Sequence, residues 1–327
     1  MAVYTDVAAD ELAEFLSHYD IGELRSYKGI AEGVENSNFL LHTSAGSFIL
    51  TLYEKRVAKK DLLFFLGLMT HLASNGINCP QPVKNKRGEA LSTLAGRPAV
   101  IITFLEGSWP RKPTAVHCAG VGQALAKMHL AAGNFDNARE NTLSPGYFDG
   151  LFEPAASRAD EVQPGLRAFI AKELAYLDNS GWPFKLPVGI IHADLFPDNV
   201  FFLDDQVSGI IDFTFACTYY LAYDIAICLN AWCFESDCSF NVTKAQAFLY
   251  AYHSERALTF NELADLPLLA RGAAMRFLLT RLVDFLNVPE GALVRPKDPL
   301  EYARKLRFQQ GAKSIRDWGI DVSRLNA

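Results

Sequence analysis

The sequence lacks several things, and each absence removes a class of protein. No run of about 18 or more apolar residues occurs, so no helical membrane span is expected. The opening MAVYTDVAADELAEF carries acids and no Lys or Arg, which excludes the basic start of a secretory signal. Positive charge is in deficit: 31 Lys and Arg against 37 Asp and Glu leave a net charge of −6, which argues against a nucleic-acid partner. Cysteine is sparse, six residues without a C-x-x-C pair, as expected for reduced thiols in the cytoplasm. Cys228, Cys233 and Cys238 recur every five residues, but that step turns a helix by about 140°, so Cys228 and Cys233 do not share a face and read as small buried hydrophobes.

What remains is a chain of 327 residues, half of them apolar, long enough for two units of ordinary domain size. Its most informative stretch runs from Val188 to Phe213. An apolar run reaches His192, Asp194, Pro197 and Asn199; a second run, Val200 to Leu203, passes through Asp204-Asp205-Gln206 into Val207 to Ile211 and ends on Asp212. This is strand, polar loop, strand, turn, strand. Asp and Asn are common in turns, and any one of these residues alone would need no further account. Together they form H-x-D-x4-N, a short hairpin and I-D-F, the set that phosphoryl transfer from ATP needs. One carboxylate, Asp194, takes the proton of an attacking hydroxyl; a carboxamide and a second carboxylate, Asn199 and Asp212, hold Mg²⁺ against the phosphates.

His192-Ala193-Asp194-Leu195-Phe196-Pro197-Asp198-Asn199 and Ile210-Ile211-Asp212-Phe213 resemble the catalytic and metal motifs of the aminoglycoside-phosphotransferase-like kinases. The resemblance covers nearly the whole chain. Through GIAEGVENSNF, ILTLYEKR, HADLFPDNVFF and LNAWCFE the chain is most similar to family members that phosphorylate homoserine. It implies a two-lobed α+β fold of the protein-kinase kind: a small N-terminal lobe with an antiparallel sheet and a larger, mainly helical C-terminal lobe. It also implies ATP and Mg²⁺ as cofactors, L-homoserine as acceptor in threonine biosynthesis, and His192 and Asp224 as structural support. Oligomeric state stays open.

In chain order, Asp10 to Tyr19 carries a helical stripe with acids in its first turn. Tyr27 to Thr43 reads as two strands around a glycine-containing turn, with Gly33, Glu35, Asn36 and Ser37 near the phosphates or, equally, an ordinary hairpin. Ser47 to Glu54 is the third strand. The family usually offers a lysine here to the nucleotide; this chain has Thr51, either a nucleotide contact or a plain β-branched strand residue. Lys55 shares its face but stands about 13 Å further along an extended strand. Ala58 to Asn75 is a helix stopped by Gly76, with Asp61 as its one acid. Pro98 to Leu105, continuously apolar, reads as a buried edge of the lobe, with adenine against the backbone of Thr103, Phe104 and Leu105. The N-terminal lobe thus spans residues 1–105, the hinge 106–113 and the C-terminal lobe 114–327.

Thr114 caps a helix reaching Ala132, on which His129 is a hydrogen-bonded core residue. Residues 134–157 read as irregular, 166–177 as helix. Further helices are expected over 243–254, 263–287 and 300–311. The second of these carries Arg271, Arg276 and Arg281 on an otherwise apolar segment. A substrate that is an amino acid with a side-chain hydroxyl offers a carboxylate suited to arginine's planar fork, and an ammonium suited to Glu235 or Asp237. The other reading pairs Arg281 with Asp284 one turn away and lays the remaining stems over apolar surface. Arg276, Arg281 and Glu235 are the residues expected at the acceptor. Three alternatives are a choline-type kinase using Tyr219, Tyr220, Trp232 and Phe234 as a cation cage, an aminoglycoside kinase, and an inactive nucleotide-binding scaffold.

Overall fold

The computed structural model describes residues 5–30, 36–54, 58–288 and 296–325. They form two compact units. One holds the described residues up to Gly107 together with Ser208–Ile211, and the other holds the described remainder.

The first unit begins with α1 (Ala9–Ser17), which turns Leu12, Phe15 and Leu16 inward and carries Asp10 and Glu11 in its first turn, where they complement the helix dipole. Five antiparallel strands follow: β1 (Leu24–Gly29), β2 (Ser37–Thr43), β3 (Gly46–Leu52), β4 (Leu91–Leu94) and β5 (Arg97–Thr103), in the order β1-β2-β3-β5-β4. Phe39 and Leu41 of β2, Leu50 and Leu52 of β3, and Ala99 and Ile101 of β5 form one core with the inward face of α1. The helix α2 (Lys59–Ser74) lies between β3 and β4 in the chain. The continuous apolar run in β5 was expected at an edge. Instead it is an interior strand, paired with β3 on one side and β4 on the other, and the edges are β1 and β4. Ala99, Val100 and Ile101 are all buried, so both faces of the strand are covered, which is why no alternation survives in its sequence.

Ser208–Ile211 is held to the first unit by Ile210 N–H donating to Asn78 O at 3.0 Å and by Asn78 Nδ2 donating to Ser208 O. A Cβ at Gly209 would stand 2.7 Å from Leu105 Cδ1 and 3.2 Å from Asn78 O, so only glycine permits this approach.

The second unit is mainly helical. Its helix α3 (Ala115–Ala131) opens on a capping box: Thr114 Oγ1 accepts from His117 N–H, and His117 Nδ1 accepts from Thr114 N–H. Next come α4 (Phe148–Ala156), the single turn α5 (Ala159–Val162) and α6 (Leu166–Asn179). The short strand β6 (Val188–Ile191) and β7 (Val200–Leu203) follow; β8 (Gln206–Ile210) starts in this unit and runs into the Ser208–Ile211 segment of the first, and after it come β9 (Cys217–Tyr220), α7 (Leu221–Trp232), α8 (Val242–Glu255), α9 (Phe260–Leu286) and α10 (Pro299–Gly311). The segment expected to be irregular contains α4, a helix with Pro154 inside it that buries Phe148, Phe152 and Ala155 against α9. Tertiary burial outweighs the proline there. Strand β9 had no counterpart in the sequence reading. It pairs antiparallel with β6, Ile191 opposite Cys217 and Val188 opposite Tyr220, and so fixes the chain just before the His192–Asn199 loop.

Residues 106–113 include the boundary between the units at Gly107 and Ser108. Ser108 exchanges both backbone bonds with Phe202 of β7, at 3.1 and 2.9 Å.

Candidate active site

The loop from His192 to Asn199 is suspended from helix α7. Asp224, completely buried in the first turn of α7, accepts the N–H of His192 at 2.7 Å on Oδ2 and that of Ala193 at 2.9 Å on Oδ1. The same Oδ2 lies 3.2 Å from His129 Nε2, and His129 Nδ1 lies 2.7 Å from the Tyr252 hydroxyl. Burial alone would raise the Asp224 carboxyl; the His129 hydrogen bond and charge, with His192, outweigh it, and the pKa is lowered. At the loop's far end Trp232 Nε1 donates to Leu195 O at 2.8 Å. Arg276 of α9, 1% exposed, donates from Nη1 to Ala193 O at 2.5 Å.

These anchors hold Ala193 at φ 62°, a left-handed conformation that a side chain resists. Asp194 follows it. Phe196 N–H closes a turn on Asp194 O at 2.8 Å, and Asn199 Nδ2 donates to the same oxygen at 2.8 Å and to the carboxylate Oδ2 at 3.4 Å. Asp194 keeps some solvent access, yet protein surrounds it. Desolvation is the largest influence on it; Arg276 and Lys297 oppose, Asp212 and Asp198 reinforce, and the pKa is pushed up to about 7. A carboxylate with that pKa is a competent proton acceptor near neutrality.

Asp212 also stands at positive φ, 61°, and is exposed. Its Oδ1 accepts from Thr214 N–H at 3.3 Å and Thr214 Oγ1 at 2.5 Å. Among the described residues no donor reaches Asp212 Oδ2 or Asn199 Oδ1. One carboxylate oxygen and one carboxamide oxygen, both hard donors, suit Mg²⁺, which takes few protein ligands and completes its shell with water and phosphate.

The remaining expected site residues divide. Gly33 and Glu35, with Lys55, lie outside the described residues. Ser37 Oγ donates to Glu54 Oε1 at 2.5 Å, and Thr51 Oγ1 donates to Asn38 Oδ1 at 2.7 Å across the β2–β3 pair. Thr103 is tied to Gln81, its N–H donating at 2.9 Å and its Oγ1 accepting at 2.9 Å, while Phe104 beside it is exposed and Leu105 packs on Gly209. Asn36, at the edge of the described residues, is half-buried.

In the second unit, Arg271 forms a fork with Glu173, two bonds of 2.7 Å, and lies 3.6 Å from the Tyr176 ring centre. Arg281 binds Glu301 at 2.7 Å, a partner from α10 rather than its own helix, and shares it with Lys305 at 2.6 Å. Glu235 accepts from Lys244 at 2.6 Å and Asn241 at 2.7 Å, and those bonds lower its pKa. Arg276 alone among the three arginines has no carboxylate partner among the described residues. The aromatic residues weighed as a cage sit in three separate groups. Tyr219 lies against Tyr220 with the rings tilted by 43°, Trp232 packs on Phe202, and Phe234 joins Phe240 and Phe308.

Sequence reading passed over Lys297, whose Nζ is 3.2 Å from Asp198 Oδ2 and whose charge acts on Asp194; no local motif marks it, because it comes from a distant segment.

The chain belongs to the phosphotransferase enzyme family, which it matches over residues 26–258. Along its entire length it is 73% identical to a protein of Bradyrhizobium diazoefficiens named homoserine kinase, covering 100% of both chains. A homoserine kinase of Rhodopseudomonas palustris is 72% identical over 323 residues, 99% of each chain. Among solved structures, an amicoumacin kinase in complex with AMP-PNP and Ca²⁺ superposes with a TM-score of 0.71 at 15% identity, covering 97% of each chain, a likeness of fold. The two-lobed α+β fold and the phosphotransferase chemistry expected from the motifs are thus those of this chain.

Proposed function

We propose that the protein is an ATP-dependent homoserine kinase that transfers the γ-phosphoryl group to the side-chain hydroxyl of L-homoserine, giving O-phospho-L-homoserine and ADP. The observation that carries this reading is the Asp194–Asn199 pair, with Asp212 close enough for its charge to act on Asp194, in a chain 72–73% identical to homoserine kinases from end to end. Mg-ATP, when bound, supplies the phosphoryl group and neutralises charge on it. Asn199 and Asp212 are the residues that would hold the ion. Asp194 orients the acceptor hydroxyl and takes its proton; the bonds from Asn199 and the turn to Phe196 hold the carboxylate ready before substrate arrives. His192 and Asp224 support the loop. Arg276 is the proposed cation at the acceptor, because Arg271 and Arg281 are already matched to Glu173 and Glu301. Arg281 and Glu235 then bound the acceptor side as ion-paired residues.

The proposed nucleotide contacts are Gly33, Glu35, Asn36, Ser37 and Thr51, with the backbone of Thr103, Phe104 and Leu105. The lobes are proposed as residues 1–105 and 114–327, joined at 106–113. No helix among the described residues is long and apolar enough to cross a membrane, and a cytoplasmic place in threonine biosynthesis is proposed. Purified protein with Mg-ATP should release ADP in proportion to homoserine and not to choline or kanamycin. A flat response to homoserine overturns the assignment. Asp194→Asn should lose most turnover and retain Mg-ATP binding.

A further inference from the structure

Four buried side-chain nitrogen or oxygen atoms among the described residues have no hydrogen-bond partner: Asn141 Nδ2, Tyr223 Oη, Arg276 Nε and Tyr302 Oη. Folded proteins leave few such groups, because each has lost water and gained nothing in return. One of the four belongs to a guanidinium, and its charge reaches the two tyrosines. Tyr223 is on α7 and Tyr302 on α10, and both helices pack on α9, which carries Arg276. The Tyr302 ring centre is 5.2 Å from that of Phe277, whose ring lies 4.5 Å from the Arg276 guanidinium carbon. Burial is the main influence on both hydroxyls; the Arg276 charge acts on Tyr223, and Tyr302 senses Arg281, whose guanidinium lies 4.4 Å from its ring centre, then Glu301, Asp194 and Arg276. Through Nη1 the same guanidinium already grips the backbone one residue before Asp194.

All three orphans can donate: one N–H and two O–H groups. Unpaired donors within the field of a buried cation suit an oxyanion, and a carboxylate accepts several at once. We propose that Arg276 Nε and the hydroxyls of Tyr223 and Tyr302 form the subsite for the carboxylate of the amino-acid acceptor, whose hydroxyl then faces Asp194. The assignment rests on the homoserine kinase reading and adds the two tyrosines as determinants of specificity. It also supplies the basis of discrimination. An acceptor without a carboxylate gains none of these three bonds, and sites built to hydrogen-bond a substrate discriminate against analogues lacking that group by factors on the order of 10⁴.

The test uses homoserine and 3-aminopropan-1-ol, which is homoserine without its carboxylate. Wild-type protein should prefer homoserine strongly in kcat/KM. Tyr302→Phe and Tyr223→Phe should each raise the homoserine KM roughly 10- to 100-fold, the loss expected for one donor to a charged group, and leave turnover of 3-aminopropan-1-ol unaltered. Neither should lower the Tm, since the hydroxyl removed is unpaired in the free protein; a purely structural tyrosine would show the reverse. Calorimetric titration of homoserine in the presence of Mg-ADP separates the two claims. Wild-type binding that both Phe variants weaken supports the subsite. Binding that neither variant alters overturns it, whatever the turnover. Intact wild-type binding without phosphoryl transfer overturns the kinase reading alone, and no binding by wild type overturns both.

Discussion

At the scale of single residues the site is governed by two aspartates pushed in opposite directions. Asp194 has its folded-state pKa raised to about 7 from the ordinary 3.8, mainly by desolvation, so the folded protein binds more protons than the unfolded chain between those values. Stability contributed by the protonated form is therefore complete at acid pH and is lost as pH rises towards 7. Asp194→Asn removes that dependence. The free variant should unfold at higher urea than wild type at pH 8, by at most about 4 kcal/mol, and the gap should close near pH 4. An equal difference at both pH values would show that desolvation does not govern this carboxylate. Asp224 has the opposite sign. Its folded pKa is lowered, so its contribution is present above the ordinary carboxylate range and fades as pH falls. Asp224→Ala leaves two loop N–H groups and His129 without their acceptor. Unfolding should cost about 3–5 kcal/mol less, and kcat should fall by roughly 100-fold or more as the loop relaxes at Ala193. Near-normal kcat with lowered stability would confine Asp224 to holding the fold.

At the scale of elements, α9 shows what a sequence conveys and what it withholds. Its capping box, Thr259 with Glu262, and its apolar length mark a long helix, and three arginines on such a surface stand out. Which arginine is structural depends on partners from α6 and α10, far away in the chain. Arg271 meets Glu173 at a separation of 98 residues and Arg281 meets Glu301 at 20, beyond any spacing rule on one helix. The same limit explains β9 and the interior place of β5: a four-residue strand and an apolar run acquire their meaning from the strand beside them. The catalytic loop, in contrast, was legible at once. Its residue types lie within eight positions, although the groups that hold the loop and tune Asp194 come from α7, α9 and Lys297. Arg271→Leu should strand the Glu173 carboxylate, with Gln310 its remaining side-chain donor, and destabilise the protein by about 3–5 kcal/mol. The homoserine KM should stay at its wild-type value, and Glu173→Leu in the same chain should recover much of the stability. A raised KM in the single variant would instead place Arg271 at the acceptor.

At the scale of the molecule, the six cysteines report on how firmly each unit is closed. Five are buried, Cys79 in the first unit and Cys118, Cys217, Cys228 and Cys233 in the second; Cys238 is partly exposed. Burial pushes the thiols of Cys79 and Cys217 up to about 12, so neither forms thiolate near neutrality while its unit stays folded. Cys238 is the one thiol that solvent reaches, its Sγ 3.3 Å from Arg304 Nε. A disulfide reagent added to native protein should therefore titrate one thiol quickly, and Cys238→Ser should abolish that phase. The other five should react only as their surroundings open, Cys79 at a rate set by the first unit and the rest at a rate set by the second. Mg-ATP and homoserine bind the folded chain alone and should slow the late phase in proportion to their occupancy. Two or more fast thiols in the native protein would mean that one unit opens on the timescale of the assay, and mapping the labelled cysteine would show which.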